Sequence, residues 1–232
     1  TISGYGTTGA WADRKAYDLL VQAEAGLLSI TGEPDSVARV GISVADIAAG
    51  MYAYSGILTA LLQREISGSA TAVEVSLFEA LAEWMGNPAY YTMYGGTPPP
   101  RVGAQHASIA PYGPFTSADG AIVMLSVQNA REWEAFCELV MDSPTLADDK
   151  LFATNSQRSA HRAELNAMIA DRFATLSADE AIALLDRARI ANARVNTVAE
   201  FVEPPALSSR DRWTTIESPG GAIRALKPPA TL

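Results

Sequence analysis

The sequence predicts an α/β chain in two parts, with long apolar helices in the first part and a smaller α+β domain after it. Three observations lead to this prediction. Apolar residues recur at helical spacing around short strand-like runs up to residue 94, glycine and proline crowd residues 95–112, and a hairpin pattern with amphipathic helices follows. We therefore expect four segments: a large domain over 1–94, an interdomain linker over 95–112, a small α+β domain over 113–200 and a return towards the large domain over 201–232.

Two helices are predicted first. The apolar spacing over 17–31 is helical and stops at Gly32. A second, almost unbroken apolar helix begins near Asp46 and stops at Gly68. Because this helix mixes small and bulky apolar residues, we predict a buried core helix that packs on several sides. Its longest apolar run, 47–62, is shorter than the ~18 residues that a membrane span needs, so we expect no membrane segment.

Strand patterns and helix caps organise the rest of the chain. Residues 73–75 alternate like a short strand, and Ser76 with Glu79 predicts a capped helix to about Met85. Asp119 and Gly120 predict the turn of a hairpin between strands over 113–116 and 121–126. The remaining predictions are amphipathic helices over 129–141, 159–175 and 178–187, a helical turn over 198–202, and strands over 193–196 and 213–217.

The composition excludes some functions. The chain has 232 residues, 48 % of them apolar, which is enough for a sizeable core. A net charge of −9 and the lack of any Lys/Arg run argue against nucleic acid as a partner. The single cysteine, Cys137, cannot form a disulfide within the chain, and we expect a buried thiol and a cytoplasmic protein.

The two ends carry a further expectation. The chain opens at Thr1 without an initiator methionine, and it stops in a proline-rich segment. We therefore expect a piece of a longer polypeptide.

The short motifs over 3–6, 17–23 and 41–46, with further ones later in the chain, resemble the class III CoA-transferases of the CaiB/BaiF type. This family includes formyl-CoA and carnitinyl-CoA transferases and is more loosely similar to the α-methylacyl-CoA racemases. The matching segments occur in the family's order along nearly the whole chain: 3–6, 17–23, 31–32, 41–46, 50–51, 56–62, 73–77, 101–103, 111–113 and 119–120.

The resemblance implies a fold and partners. It implies a Rossmann-like large domain followed by a smaller domain, in two chains interlocked as a homodimer, with the N-terminal part of the large domain absent from this sequence. Coenzyme A and acyl-CoA enter as substrates, together with a small carboxylic acid, and no covalently bound cofactor is implied. The stretches over 1–28 and 41–62 are most similar to transferases that act on small dicarboxylic acids.

The resemblance assigns the catalytic role to Asp46. An aspartate at this position attacks the acyl-CoA thioester and gives a mixed anhydride, then an aspartyl-CoA thioester. A carboxylate is ionised at neutral pH and needs no base to activate it, and a helix N-terminus favours an anion. The alternative is that Asp46 is only a helix N-cap, which is common for an aspartate before an apolar helix.

Five further residues are candidates for binding substrate or CoA. Asp18 matches an acidic position near the family's active site, or it only compensates the dipole of its own helix. Tyr17 lines the thioester pocket or packs on the core.

Gly103 and Gln105 lie in a loop that covers the active site of relatives, where their N–H groups would meet an acyl oxygen; an ordinary interdomain loop is the alternative. Arg101, like Arg14 and Lys15, is a candidate to attract anionic CoA.

No metal site is predicted, because neither His106 nor His161 has a second ligand at metal spacing.

Two alternatives to the transferase stay open. An acyl-CoA racemase or epimerase would need a base, and Tyr17 stands where racemases carry a histidine. A non-catalytic fragment that lacks the CoA site would act only by packing against a partner, and exposed apolar surface would distinguish it.

Overall fold

The computed structural model describes residues 1–202 and 204–230. It divides the chain into two compact units, Thr1–Gly113 and Pro114–Leu232. The predicted linker over 95–112 ends next to this division. The four predicted segment boundaries are otherwise untested and stay predictions.

Unit 1 contains one parallel strand pair, one small hairpin and four helices in its described residues. Strand β1 pairs in parallel with β4, with Ile2 opposite Val75. The hairpin consists of β2 and β3, which pair antiparallel. The elements are β1 (Ile2–Ser3), α1 (Asp18–Glu24), β2 (Gly32–Glu33), β3 (Ser36–Val37), α2 (Val44–Ser67), β4 (Val75–Ser76), α3 (Leu77–Trp84) and α4 (Gly86–Gly95).

The first predicted helix is shorter than its apolar spacing suggested. Helix α1 ends at Glu24, and the chain passes through Gly26 at φ +79° into a 3-10 turn at Leu27–Ser29. A left-handed residue cannot continue an α-helix, and glycine adopts this conformation without steric cost. The apolar residues therefore keep a helical spacing in the sequence beyond the point where the α-helix ends.

Helix α2 begins and ends as predicted, but the predicted burial is wrong. It runs from Val44 to Ser67 and stops at Gly68, which is left-handed at φ +72°. Only its small residues are buried, at Ala45, Ala48, Ala49 and Ala53. They pack against α1 and α3 because small side chains allow close backbone approach. The bulky residues project from the other side and stay exposed in this chain: Met51, Tyr54, Ile57, Leu58, Leu61, Leu62 and Ile66.

Helix α2 also revises the membrane argument. Its full length is 24 residues, longer than the apolar run 47–62 from which we predicted no membrane segment. Within the described residues it is the one helix long and apolar enough to cross a membrane by length and composition. This evidence is weak, since core helices of soluble proteins pass the same test. The expectation of no membrane partner therefore stays a prediction.

Helix α3 confirms the predicted cap. The Ser76 hydroxyl accepts the Glu79 N–H at 3.1 Å and donates to the Glu79 carboxylate at 2.6 Å. Leu81 of α3 packs with Val21 of α1 and Ala45 of α2 in a buried cluster. The three helices of this cluster form the rigid part of unit 1 on which the candidate site stands.

Unit 2 has a three-stranded sheet in the order β5-β6-β7, covered by helices. Strand β6 pairs antiparallel with β7, with Val123 opposite Arg194. A second hairpin joins β8 and β9, with Trp213 opposite Leu226. The elements are β5 (Tyr112–Thr116), β6 (Ile122–Ser126), α5 (Ala130–Ala135), α6 (Asn155–Ala160), α7 (Arg162–Phe173), α8 (Ala178–Arg187), β7 (Ala191–Arg194), α9 (Val198–Phe201), α10 (Pro205–Ser208), β8 (Trp213–Ile216) and β9 (Ile223–Leu226).

The helices of unit 2 follow the prediction with two breaks. The helix predicted over 129–141 becomes α5 and a π-helical turn at Phe136–Val140. The helix predicted over 159–175 is divided at His161 into α6 and α7. Helix α8 begins with the predicted capping box of Ser177 and Glu180.

The predicted thiol burial is confirmed, because Cys137 is fully buried and this burial raises its pKa to about 12.

The predicted hairpin turn also ties the sheet to α8. One oxygen of the Asp119 carboxylate accepts the Ser117 hydroxyl at 2.6 Å, and the other accepts the Ala178 N–H at 3.1 Å. These hydrogen bonds hold the pKa of Asp119 below its ordinary value of 3.8.

We predict a pH-dependent stability contribution from this contact. The charged Asp119 carboxylate stabilises unit 2 above pH 3.8, and this contribution is lost as pH falls through its lowered pKa. Replacing Asp119 by alanine should therefore lower Tm by a few degrees at pH 7, and the difference from wild type should shrink as pH falls below 3.8 and the carboxylate is protonated. Thermal unfolding followed by circular dichroism measures this, with Asp171→Ala on α7 as the exposed control; an equal difference at pH 7 and well below pH 3.8 would contradict the assignment.

Candidate active site

The Asp18 carboxylate lies at the N-terminus of α2. Its Oδ1 accepts the backbone N–H of Ala45 at 2.8 Å, and its Oδ2 accepts the side-chain amide of Gln22 at 2.7 Å. Ser43, the N-cap residue of α2, makes no side-chain capping bond. A residue of α1 therefore provides the cap that a local side chain usually provides.

Asp46 follows directly in the first turn of α2. Its side chain is exposed, and no hydrogen bond or ion pair reaches its carboxylate in the part of the chain that the structure describes. The N-terminal end of a 24-residue helix favours a negative charge at this position. Because Asp18 caps the helix, the carboxylate of Asp46 is left available to a ligand.

Gln22 completes the set and was not a site candidate from the sequence. Its side chain is fully buried, and its Oε1 accepts the backbone N–H of Val40 at 3.0 Å. The contact with Val40 therefore joins α1 to the segment that leads into α2. Its place four residues after Asp18 on one helix was the sequence feature that could have identified it, since such pairs face each other.

The loop around Gly103 is held on the hairpin of β2 and β3. The guanidinium of Arg101 donates to the carbonyls of Glu33 and Pro34, both at 2.9 Å. The Gly103 N–H donates to the Gly32 carbonyl at 2.9 Å. This loop is therefore anchored to the hairpin by backbone contacts.

The family comparison agrees with the resemblance in the sequence. A model of the family described as CoA-transferase family III matches residues 1–232. The chain belongs to CoA-transferase family III. It is 30 % identical to a succinate–glutarate CoA-transferase of Agrobacterium fabrum over 96 % of this chain and 56 % of that relative. It is 35 % identical to an acyl-CoA transferase of Fusarium pseudograminearum over 90 % of this chain and 46 % of that relative.

A solved structure shows the same fold. The chain matches a CAIB/BAIF family protein from Brucella suis with a TM-score of 0.83 and 32 % identity, over 100 % of this chain and 60 % of that one. The predicted α/β class and the CaiB/BaiF resemblance are thereby confirmed. The chain spans about half the length of the curated relatives it matches.

Tyr17 directly precedes Asp18 in the chain and does not pack in the core. It is the N-cap residue of α1, and its carbonyl accepts the Val21 N–H at 3.0 Å. Its side chain is 72 % exposed. The core-packing alternative for Tyr17 therefore does not apply in unit 1, and its predicted contact with a thioester stays a prediction.

Gln105 and Gly103 do not present free amides in this family III chain. The Gln105 N–H donates to the Val102 carbonyl at 3.3 Å, and the Gly103 N–H is used by Gly32. One of these N–H groups is therefore engaged within the loop and the other by the hairpin. Their predicted role as substrate contacts stays a prediction.

The arginines expected to attract CoA are engaged by the protein itself. Arg101 binds the two hairpin carbonyls, and Arg14 pairs with Glu24 at 2.5 Å while its guanidinium lies 4.5 Å from the Trp11 ring centroid. Their positive charges remain, but their donors hold local structure. The contribution of Arg101 to CoA binding is therefore untested.

A groove of about 490 Å³ runs between α2, α3 and the segment before β4. Tyr52, Glu79 and Glu83 are among its lining residues, and neither Asp18 nor Asp46 lines it. Tyr52 donates to Glu83, which raises the tyrosine pKa, and accepts the Trp84 indole N–H at 3.1 Å. These contacts join α2 to α3 at the groove.

We predict that a side chain at position 103 destabilises the loop. Its φ is +64°, and a Cβ atom there would lie 2.6 Å from a Glu33 carboxylate oxygen. The substitution Gly103→Ala should cost roughly 1–2 kcal/mol, because a non-glycine residue is strained in the left-handed region. Urea unfolding measures this cost. The matched control is Gly41→Ala, where a Cβ meets nothing within 4 Å; equal stability of the two variants would contradict the prediction.

Proposed function

We propose that this protein transfers CoA between an acyl-CoA thioester and a small dicarboxylic acid, with Asp46 as the nucleophile. The observation that carries the proposal is the exposed, unengaged Asp46 carboxylate beside an α2 N-terminus that Asp18 already caps. A capping role therefore does not explain why an aspartate stands at position 46. Membership of CoA-transferase family III and the naming of a relative for succinate and glutarate support the substrate class.

The proposed reaction begins at the thioester. A carboxylate oxygen of Asp46 attacks the acyl carbonyl, the C–S bond breaks, and CoA leaves as a thiolate. The product on the protein is a mixed anhydride of Asp46 and the acyl group. The thiolate then attacks the aspartyl carbonyl of the anhydride and releases the donor acid as a carboxylate, which leaves an aspartyl-CoA thioester.

The second half repeats these steps with the acceptor acid. Its carboxylate attacks the aspartyl thioester, the thiolate leaves again, and a new anhydride forms. Attack of the thiolate on the acceptor acyl carbonyl gives the new acyl-CoA and restores the Asp46 carboxylate. One anionic leaving group replaces another at each step, so no general base is required.

The N-terminus of α2 suits this chemistry. Charge develops on the carbonyl oxygen at each attack, and the positive end of a helix stabilises an oxyanion that forms close to it. The Ala45 N–H is taken by Asp18, and no partner binds the Asp46 N–H among the described residues. We assign this backbone N–H as a donor to the oxyanion.

The racemase alternative needs a pair of proton-transfer groups. Tyr17 is the side chain next to Asp18 in the chain, and a phenol is a weaker base than the imidazole that racemases carry at this position. No observation in unit 1 favours this reaction over CoA transfer. The experiment on Asp46 nevertheless includes a measurement that would detect it.

We predict that Asp46 carries the covalent intermediate. Incubating the full-length protein with succinyl-CoA and glutarate should exchange CoA, and Asp46→Ala should lower the rate by roughly three or more orders of magnitude because the nucleophile is lost. Intact mass and peptide mapping after an acid quench should place an adduct on Asp46.

Asp35→Ala, an exposed aspartate in the hairpin turn, is the matched control and should keep wild-type activity. An adduct that persists in Asp46→Ala would overturn the assignment. Exchange of the α-proton with solvent in place of CoA transfer would establish the racemase reaction instead.

We also propose that the enzyme works as a homodimer, as the resemblance implies. The bulky side of α2 supports this proposal: Met51, Tyr54, Leu58 and Leu62 recur at helical spacing and are 49–63 % exposed. A continuous apolar stripe of this kind marks an interface. The other side of the same helix is already buried in unit 1, so the stripe is exposed in this chain and can contact a second copy.

This proposal predicts a mass of two chains for the full-length protein in light scattering. Leu58→Glu should weaken the dimer by roughly 100-fold or more, because a charge would be buried without a partner. Gln63→Glu, in the groove beside α3, should leave the mass unchanged. A wild-type protein that is monomeric at all concentrations would contradict the proposal.

A further inference from the structure

The Gln22 side chain is a fully buried polar group that the proposed reaction does not use. It donates to the Asp18 carboxylate at 2.7 Å and accepts the Val40 N–H at 3.0 Å. Asp18 in turn accepts the Ala45 N–H at 2.8 Å. These three contacts form one chain of hydrogen bonds from the segment before α2, through α1, to the first turn of α2.

The chemistry at position 22 admits few side chains. Asp18 requires a donor at one end of the group, and the Val40 N–H requires an acceptor at the other. These two partners fix the orientation of the Gln22 amide. A carboxylate cannot donate, an ammonium cannot accept, and an apolar side chain of similar length can do neither, which would leave buried polar groups without partners.

We infer that Gln22 is a positioning residue for the nucleophile, an inference that rests on the proposed function. Its donor holds the Asp18 carboxylate at the α2 N-terminus, so that this end is capped without Asp46. Its acceptor holds Val40, and with it the segment that leads into the first turn. Gln22 reaches Asp46 only through these groups and touches no reacting atom.

A purely structural role makes a different prediction. If Gln22 only filled space in the core, an apolar residue of the same length would replace it with full activity. If the negative charge of Asp18 itself acted on the substrate, no exchange of hydrogen-bonding groups between positions 18 and 22 would restore activity. Complementary substitutions separate these possibilities.

The test exchanges donor and acceptor groups between positions 18 and 22 in the chain of hydrogen bonds. Asp18→Asn sets two amide donors against each other, and Gln22→Glu sets two carboxylates against each other. In the double variant the asparagine oxygen can accept the Ala45 N–H, its NH₂ can donate to the new carboxylate, and that carboxylate can accept the Val40 N–H. Every hydrogen bond of the wild type returns, and so does the single negative charge.

The expected results concern kcat for CoA transfer by the full-length protein. At a pH above the pKa of the introduced acid, each single variant should lose about 10- to 100-fold, the equivalent of one lost hydrogen bond to a charged group, with KM for the acyl-CoA little changed. The double variant should recover to within a few-fold of wild type. Gln22→Met should lose as much as either single variant. A double variant as impaired as the singles, or a fully active Gln22→Met, would overturn the inference.

A pH profile gives a second readout. The introduced acid in Gln22→Glu is buried beside the Asp18 carboxylate, and both burial and the like charge raise its pKa. Below that pKa its O–H donates to Asp18 as the amide did, and above it two carboxylates face each other. The kcat of Gln22→Glu should therefore fall with rising pH relative to wild type, whereas Gln63→Glu, on exposed α2 surface, should follow the wild-type profile. Parallel profiles for Gln22→Glu and wild type would count against the inference.

Hydrogen–deuterium exchange separates a failed inference from a failed function. Peptides that cover residues 38–47 should exchange about 10-fold faster in Gln22→Met and return to wild-type protection in the double variant. Peptides of unit 2 should be unchanged, which shows that the variants fold. If wild type transferred no CoA, the proposed function would fail while this measurement still tested the hydrogen-bond chain; unchanged exchange at 38–47 would refute the chain itself.

Discussion

The hydrogen bond between the Asp18 carboxylate and the Ala45 N–H determines how unit 1 is organised around its candidate site. A helix needs acceptors for its first amides, and most helices obtain one from a side chain at the N-cap. Helix α2 obtains it from α1, which lies 27 residues earlier in the chain. This arrangement fixes the two helices to each other and leaves the next side chain, Asp46, without a structural task.

The burial of α2 follows from the same packing. Close contact with α1 and α3 is possible only where the side chains are small, so a row of alanines forms the buried side. The bulky residues lie on the other side, where the described chain has nothing to cover them. A helix that is apolar all round is thus divided into a side that builds unit 1 and a side that we assign to the dimer.

Unit 2 relies mainly on local caps, and one long-range contact adds to them where Asp119 accepts the Ala178 N–H at the start of α8. Its helices begin with caps made by their own neighbours, such as Ser177 with Glu180, and its core closes over Trp133, Phe136 and Phe173. The buried Arg158 illustrates the same self-sufficiency: it donates to the Phe152 carbonyl at 2.9 Å and stacks 4.5 Å from the Trp133 ring centroid. Local pattern therefore predicted most of the helices of this unit, but it missed the π-helical turn, the break at His161, helix α10 and strand β9, and it placed β7 two residues late.

By itself, the sequence determined the α/β class, the bounds of α2, the local caps and the candidate Asp46, because these depend on periodicity, on neighbours three or four residues apart and on an ordered set of family motifs. Tertiary structure alone decided which side of α2 is buried, that Asp18 caps α2 and not its own helix, and that the Gly103 loop rests on a hairpin. Gln22 belongs to the same group, since its partners Asp18 and Val40 come together only in the folded chain. A hydrogen bond across 18 or 27 residues has no local pattern, and its partners are chosen by packing.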